Sequence, residues 1–381
     1  MSLVIDEHRQ YLADTNRLTA FDRAIREVVR PGDVVLDLAS GTGILGLLAC
    51  RAGARRVYAI DEGGIVGLAR EVARANGFAD RITTIREHST RVELPERADV
   101  LVTDQIGRLG FEEGLVEYVA DARRRLLKPG ARIVPAAVTL RAAPIEAPAA
   151  HDAVRFWSQP VAGFDISAVL GPAASTGYPI TIASAQLLSD AVSVGCLFFA
   201  DGDPPAAPII EATVQRAGTL HGLGGWFEAR LSPTVTMTNS PLASERINRR
   251  QAFLPIDRAM RVAIGDRVGI TIRVVPGTLI VQWTVAVTPA HADRPADLFS
   301  NSTFNGMLLS VEDTRHGDPQ SVPVLTPAGR GRQTVLALCD GRHDLSAIER
   351  QVFERHRDLF AGPAEAAAFV AEVVSRYTSA S

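Results

Sequence analysis

The sequence predicts an α/β fold in three parts: an open parallel sheet covered by helices, an antiparallel β-barrel-like domain, and a small, mostly helical unit at the end. Three observations carry this. Apolar runs and helical segments alternate from residue 34 to about residue 127. Beyond about residue 135 prolines become frequent, helical periodicity fades and segments of period two appear. After about residue 307 helical patterning returns, with Asp340-Gly341 as a turn between segments.

Residues 3–29 read as a helix, with Leu12, Leu18, Phe21, Ile25 and Val28 on one face and Pro31-Gly32 as its stop. Strand 34–39 leads to a helix over 43–52, and strand 56–61 to a helix ending at Asn76-Gly77. Strands 81–86 and 98–104 follow, then a helix from about Phe111 to Leu127 and the turn Lys128-Pro129-Gly130. Such alternation means parallel strands with helices on both faces. In the second part, Val268, Ile270, Ile272 and Val274 mirror Leu279, Val281, Trp283 and Val285 across Pro276-Gly277, a hairpin of half-buried strands. Residues 290–306, rich in Pro, Asp, Asn and Ser, read as a linker. In the tail, two strand-like pieces precede Gln333–Cys339, and helices are expected from Leu345 to about Arg357 and from Pro363 to about Tyr377. The expected domains are 1–135, 136–290 and 307–381.

At 381 residues, two or three domains are expected. The 46% apolar and 22% charged fractions belong to an ordinary globular protein. A net charge of -3, with Arg123-Arg124-Arg125 balanced by nearby acids, argues against nucleic acid as a general partner. Apolar stretches such as Val192 to Ala200 are too short to span a bilayer, and Met1 to Gln10 carries no signal peptide. Cys50, Cys196 and Cys339 are too scattered for a disulfide framework or a zinc site. A reducing cytoplasm is the expected compartment.

The stretch 34–61 carries the chemistry. Val34-Val35-Leu36-Asp37 is an apolar run ending in an acid, followed by Gly41-Thr42-Gly43 and, at the end of the next strand, Asp61. The two glycines let the backbone turn tightly against a ligand, and Asp61 stands where a ribose hydroxyl pair would sit. Gly41-x-Gly43-x-x-Gly46 also fits a dinucleotide fingerprint. Asp37 discriminates, because a carboxylate there repels linked phosphates and attracts the sulfonium and ammonium of S-adenosylmethionine. A solvated acid in a cofactor-free α/β domain is the bland alternative.

The chain resembles the protein arginine methyltransferase family over about residues 7–290. The family's pattern ahead of the first strand reads here as His8, Leu12, Asp14, Arg17 and Phe21, and its Ala-Gly-Ala before the second strand as Ala52-Gly53-Ala54. Its dimerisation arm is echoed by Phe156-Trp157 and Gly163-Phe164-Asp165-Ile166-Ser167, and another segment by His221 to Phe227. The resemblance implies a Rossmann-like class I methyltransferase sheet, a β-barrel substrate domain with an arm near 150–185, and a homodimer. It implies S-adenosylmethionine as cofactor, with Arg17 on the methionine carboxylate, Asp37 near the ammonium and Asp61 on the ribose. Ser89 and Thr90 would lie at the adenine, and His8 near the methionine end. The acceptor would be the guanidine of a protein, peptide or free arginine, oriented by Asp104 and Glu113, which stand where the family has two glutamates.

Three departures matter. Asp104 is one methylene shorter than glutamate. Ile247-Asn248-Arg249 stands where the family places Thr-His-Trp, and Met1 to Glu7 holds no aromatic residue. They leave open a methyltransferase acting on another nitrogen or oxygen of a small molecule or peptide, and, further off, a scaffold that keeps the fold. The tail, through Leu336 to Gly341 and then Leu345 and Ile348, resembles the small winged-helix peptide-binding domain of pyrroloquinoline quinone biosynthesis. That likeness implies that the methyl acceptor is a peptide or carrier presented to the enzyme.

Overall fold

The computed structural model describes residues 4–110, 112–199, 209–275, 278–292, 295–308 and 320–378. The chain divides into two compact units, one through Leu308 and one beyond it.

The predicted first helix is two: α1 (Val4–Ala13) and α2 (Thr15–Val28). Asp14 breaks them apart, because its carboxylate caps α2 by accepting from the Arg17 amide at 3.1 Å. The parallel part then runs β1 (Val34–Leu38), α3 (Ile44–Arg51), β2 (Arg56–Asp61), α4 (Val66–Ala75), β3 (Ile82–Arg86), β4 (Ala98–Thr103), α5 (Leu115–Arg125) and β5 (Leu127–Val134). The strands pair in parallel in the order β3-β2-β1-β4-β5. Every residue of β1 is buried, as a strand covered on both faces requires. The order reverses between β1 and β4, so their carboxyl ends open a crevice where ligands bind in such sheets.

Two expectations need correction in this part. Helix α5 starts at Leu115 rather than near Phe111, because the Glu112 carboxylate accepts from the amides of Arg108, Leu109 and Gly110 and folds the preceding stretch into a loop. Lys128-Pro129-Gly130 is a bulge inside β5, not a turn before it. The partners of Ala98 and Val100 jump from Leu127 to Arg132, and Gly130 takes a positive φ of 73°.

The antiparallel part opens with β6 (Ala137–Ile145). An arm follows, holding α6 (Pro148–Arg155), two 3₁₀ turns and α7 (Leu170–Ala174). Then come β7 (Tyr178–Ile180), β8 (Val192–Phe198), β9 (Ile210–Thr213), β10 (Gly218–Arg230), β11 (Thr236–Thr238), β12 (Gln251–Val262), β13 (Arg267–Val274), β14 (Val281–Thr288) and β15 (Asp297–Ser302). One sheet has the order β7-β12-β10-β6-β8 with β11 on β10, the other β15-β14-β13-β9. Trp226, Phe227 and Trp283 are buried among their strands, and Trp283 donates its indole N–H to the Pro255 carbonyl at 2.8 Å. The predicted hairpin is the β13–β14 pair, with Val268 opposite Val287 and Ile272 opposite Trp283; its turn, Pro276-Gly277, lies outside the described residues. The expected linker at 290–306 contains β15, which pairs with β14 from Gln282–Ser302 to Val287–Asp297. Its polar residues conceal a strand that buries Phe299 alone.

The second unit holds α8 (Pro327–Leu338), α9 (Leu345–Arg355) and α10 (Pro363–Tyr377), packed around Val335, Val352 and Val370. Gln333–Cys339 belongs to the end of α8 and its cap. Residues 320–326 form no strand, and the rest of the segment assigned strand-like pieces lies largely outside the described residues.

Candidate functional site

The glycine turn after β1 is set by Asp61. One carboxylate oxygen accepts from the Gly41 amide at 2.9 Å and the other from the Gly63 amide at 2.8 Å. Gly41 has φ +54°, and a Cβ there would meet the His8 ring at 2.5 Å. Glycine is therefore needed twice over at this position, for conformation and for space. Gly43, at φ +78°, is the N-cap of α3.

Below the turn lies Asp37, fully buried in the middle of the sheet, with Ala59 and Val102 as strand partners. Its Oδ2 accepts from the Gly46 amide at 2.8 Å, and a Cβ on Gly46 would sit 3.1 Å from that same oxygen. The third glycine of the fingerprint thus lets α3 approach a carboxylate. Burial raises the Asp37 carboxyl from 3.8 to about 7; the Gly46 amide opposes this, the Asp61 charge adds to it, and Arg17 opposes it. Asp37 does not line the cleft, so the expected place beside an ammonium group becomes a place beneath the loop. Its Oδ1 and the Ser40 hydroxyl are buried without a hydrogen-bond partner among the described residues.

The sign of the Asp37 shift gives a prediction. The folded state keeps a proton that the unfolded chain has released, so this contribution to stability is present below about pH 4 and is lost as pH rises through about 7. At roughly 1.4 kcal/mol per pKa unit the full effect is on the order of 4 kcal/mol. The urea midpoint of ligand-free Asp37→Asn should gain on the parent between pH 5.5 and 8; parallel curves would contradict the assignment.

Above the turn, a cleft of about 460 Å³ is lined by His8, Tyr11, Arg17, Gly41, Asp61, Asp104, Glu113 and the segment 248–250, among others. A second hollow of about 250 Å³ is lined by Asp61, Glu62, His88, Ser89, Gln105 and Tyr118. Asp61 and Gln105 border both. His8, Arg17, Gly41, Asp61, Asp104 and Glu113 are thus brought together, with Ser89 next door. Thr90 lines neither hollow; it is exposed and its hydroxyl meets His88 Nδ1 at 2.6 Å.

Asp104 is the electrostatic hub. Arg17 Nε donates to its Oδ2 at 2.5 Å, and Arg249 Nη2 donates to the same oxygen at 2.9 Å. Burial pushes this carboxyl up, but the two guanidinium charges outweigh it and hold the group below the usual carboxylate range. Asp104 Oδ1 is buried without a partner among the described residues. Arg249 also donates to the Gly107 carbonyl at 3.1 Å, and its Cζ lies 5.9 Å from the Tyr11 ring and 5.8 Å from the Phe227 ring. Such stacking suits a weakly hydrated cation. Glu113 differs from Asp104: it is exposed, and no side chain among the described residues bonds to its carboxylate. Of the two adjacent acids, Glu112 folds the loop and Glu113 faces the cleft.

The segment carrying Arg249 is tied to the helices ahead of the sheet. The Asn248 amide donates to Asp14 at 2.6 Å, and Asn16 donates to the Arg246 carbonyl at 3.0 Å. Sequence reasoning located Ile247-Asn248-Arg249 and saw two missing side chains. It missed that Arg249 brings a cation onto Asp104, and it missed Tyr11, which the break at Asp14 places on a different helix from Arg17.

The residues fit an S-adenosylmethionine-like ligand: one cleft holds the Asp61 carboxylate at the glycine turn and the buried Arg17 guanidinium, an acid for ribose hydroxyls and a cation for a carboxylate.

Comparison with known proteins agrees. A family model described as Ribosomal protein L11 methyltransferase (PrmA) matches residues 18–134, the parallel-sheet part. In fold, the chain is similar to Trypanosoma brucei PRMT1, solved as an enzyme–prozyme heterotetrameric complex with AdoHcy, with a TM-score of 0.68 at 22% identity over 77% of this chain and 97% of that one. In sequence, it is 31% identical over 265 residues to protein arginine N-methyltransferase 1 of Chlamydomonas reinhardtii, covering 66% of this chain and 76% of the relative. It is 30% identical over 270 residues to the arginine N(omega)-methyltransferase of Streptomyces achromogenes subsp. streptozoticus, covering 68% and 73%. At 31% and 30% identity over about three quarters of each relative's length, the chain belongs to the protein arginine methyltransferase family.

Proposed function

We propose that this protein is an S-adenosylmethionine-dependent methyltransferase that methylates the guanidine of an arginine, free or within a peptide or protein. The observation that carries the reading is a single cleft lined by Arg17, Asp61 and an unpaired Glu113. Arg17 offers its fork to the methionine carboxylate, Asp61 faces the ribose, and Ser89 borders the adenine side. When bound, the cofactor supplies a methyl group activated by its sulfonium charge. Glu113 and the free Oδ1 of Asp104 orient the acceptor guanidinium and draw its charge away from the attacking nitrogen. Glu113 would take the proton that the guanidinium sheds on gaining the methyl, whose bond to the sulfonium sulfur breaks in the same step to leave a neutral thioether.

Arg249 on Asp104 favours a second reading, transfer to another nitrogen or oxygen, because the acid on that side already serves two cations. Labelled donor incubated with arginine-containing proteins, peptides and free arginine, followed by hydrolysis and mass analysis, separates the two. Label on the guanidine supports the proposal; label elsewhere overturns it.

The arm around α6 and α7 exposes Phe156 at 51% and Phe164 at 73%, which supports homodimerisation through it. Light scattering should give twice the chain mass at micromolar concentration; a monomer contradicts it. Three unpaired cysteines support a cytoplasmic location. No helix among the described residues is long and apolar enough to cross a membrane. For the tail, Leu336 to Gly341 with Leu345 and Ile348 support the reading of a small peptide-binding unit, with the acceptor a peptide or carrier presented to the enzyme.

A further inference from the structure

The acceptor side of the cleft has more positive charge than the reading above uses. Arg108, from the loop after β4, and Arg250, from the segment before β12, both line it and are exposed. Their backbones are pinned side by side. The amide of Asn239, which is fully buried, donates to the Arg108 carbonyl at 3.1 Å and to the Arg250 carbonyl at 3.4 Å. Asn239 is itself fixed, since its oxygen accepts from the Phe227 amide at 2.9 Å. Neither arginine forms an ion pair among the described residues; Arg250 reaches the Pro179 carbonyl at 3.4 Å. The acids nearby do not answer them. Asp104 is taken by Arg17 and Arg249, and Glu7 accepts from the Tyr11 hydroxyl. Glu113 remains, and it is assigned to the acceptor guanidinium.

The buried amide fixes the two backbones, not the guanidinium groups, but both cations arise from adjacent points of one rim and like charges there repel. An anion on the acceptor relieves that repulsion and gains charge-assisted hydrogen bonds from two guanidinium forks. A basic, glycine- and arginine-rich protein segment would instead be repelled. We infer that Arg108 and Arg250 form a carboxylate-recognition rim, so that the acceptor is a guanidine carried with its own carboxylate: free arginine, or an arginine at the end of a peptide. This deepens the guanidine reading and rests on it.

The test uses the full chain, labelled S-adenosylmethionine and five acceptors: L-arginine, agmatine (the same guanidine without the carboxylate), a short peptide ending in arginine, the C-terminal amide of that peptide, and a basic arginine–glycine peptide. L-arginine or the free-acid peptide should exceed its carboxylate-free partner in kcat/KM by roughly tenfold or more, through the acceptor KM. Which of the two pairs shows the gap identifies the source of the carboxylate. Arg108→Gln combined with Arg250→Gln should bring that ratio close to one while the KM for S-adenosylmethionine holds. Equal use of the acid and carboxylate-free forms, preference for the basic peptide, or a ratio that survives both replacements overturns the rim. Transfer to none of the five overturns the guanidine reading itself, and the rim falls with it.

Discussion

Glu113→Gln is expected to lower kcat by roughly 100- to 1,000-fold while S-adenosylhomocysteine still binds. The change removes one charge and keeps the shape. Glu113 makes no side-chain bond among the described residues, so the fold loses little, and the thermal midpoint should move by about 2 °C or less. The loss falls on turnover because the carboxylate acts where the guanidinium must surrender charge to the attacking nitrogen. Glu112→Gln should behave in the opposite manner. Its carboxylate holds the amides of Leu109 and Gly110 at 2.9 and 3.0 Å, and burial raises its carboxyl, so damage there appears in stability and loop order. Undiminished turnover in Glu113→Gln, measured on the true acceptor, would remove the guanidine-orienting role.

Arg17→Leu is expected to weaken S-adenosylhomocysteine binding by roughly 100-fold or more, the scale of a lost bidentate carboxylate pair. Arg17 is only 6% exposed, pairs with Asp104, donates to the Tyr11 carbonyl at 3.3 Å and lies 5.4 Å from the Phe21 ring. Part of the effect will be structural, since breaking a buried pair from one side costs about 3–5 kcal/mol when the other charge is left alone. Arg249 stays on Asp104 and should reduce that cost. Arg17→Lys separates the two contributions: it keeps a charge near Asp104 and loses the planar fork. A folded lysine variant with binding weakened about tenfold supports the assignment. Unchanged affinity in both variants contradicts it.

The centre of the parallel sheet was legible because β1, β2 and β4 are largely buried and write themselves as apolar runs with a helix after each. Asp37, Gly41, Gly43 and Asp61 were legible as a turn with two acids, and the turn is there. What could not be read was depth. Asp37 reads as a strand-end acid open to a ligand, yet pairing with β2 on one side and β4 on the other submerges it, and α3 then lays Gly46 across it. β15 escaped notice for a different reason. Asp297, Ser300, Asn301 and Ser302 have poor strand propensity, and the strand exists because β14 offers a free edge.

Arg249 shows the limit for the site. Counting along the chain located its segment, but the meaning of an arginine there depends on Asp104, 145 residues away in sequence. The same holds for Arg108 and Arg250, which become neighbours through Asn239. Adjacent Glu112 and Glu113 look alike in the sequence and part company only when the loop closes over one of them.

Calorimetric titration of the purified chain with S-adenosylhomocysteine, and in parallel with a nicotinamide dinucleotide, tests most directly whether the cleft was built for a cationic thioether nucleoside. The account predicts one molecule of S-adenosylhomocysteine per chain at micromolar affinity, and no measurable heat from the dinucleotide. Uptake of the dinucleotide in preference, or no binding of S-adenosylhomocysteine, would contradict it.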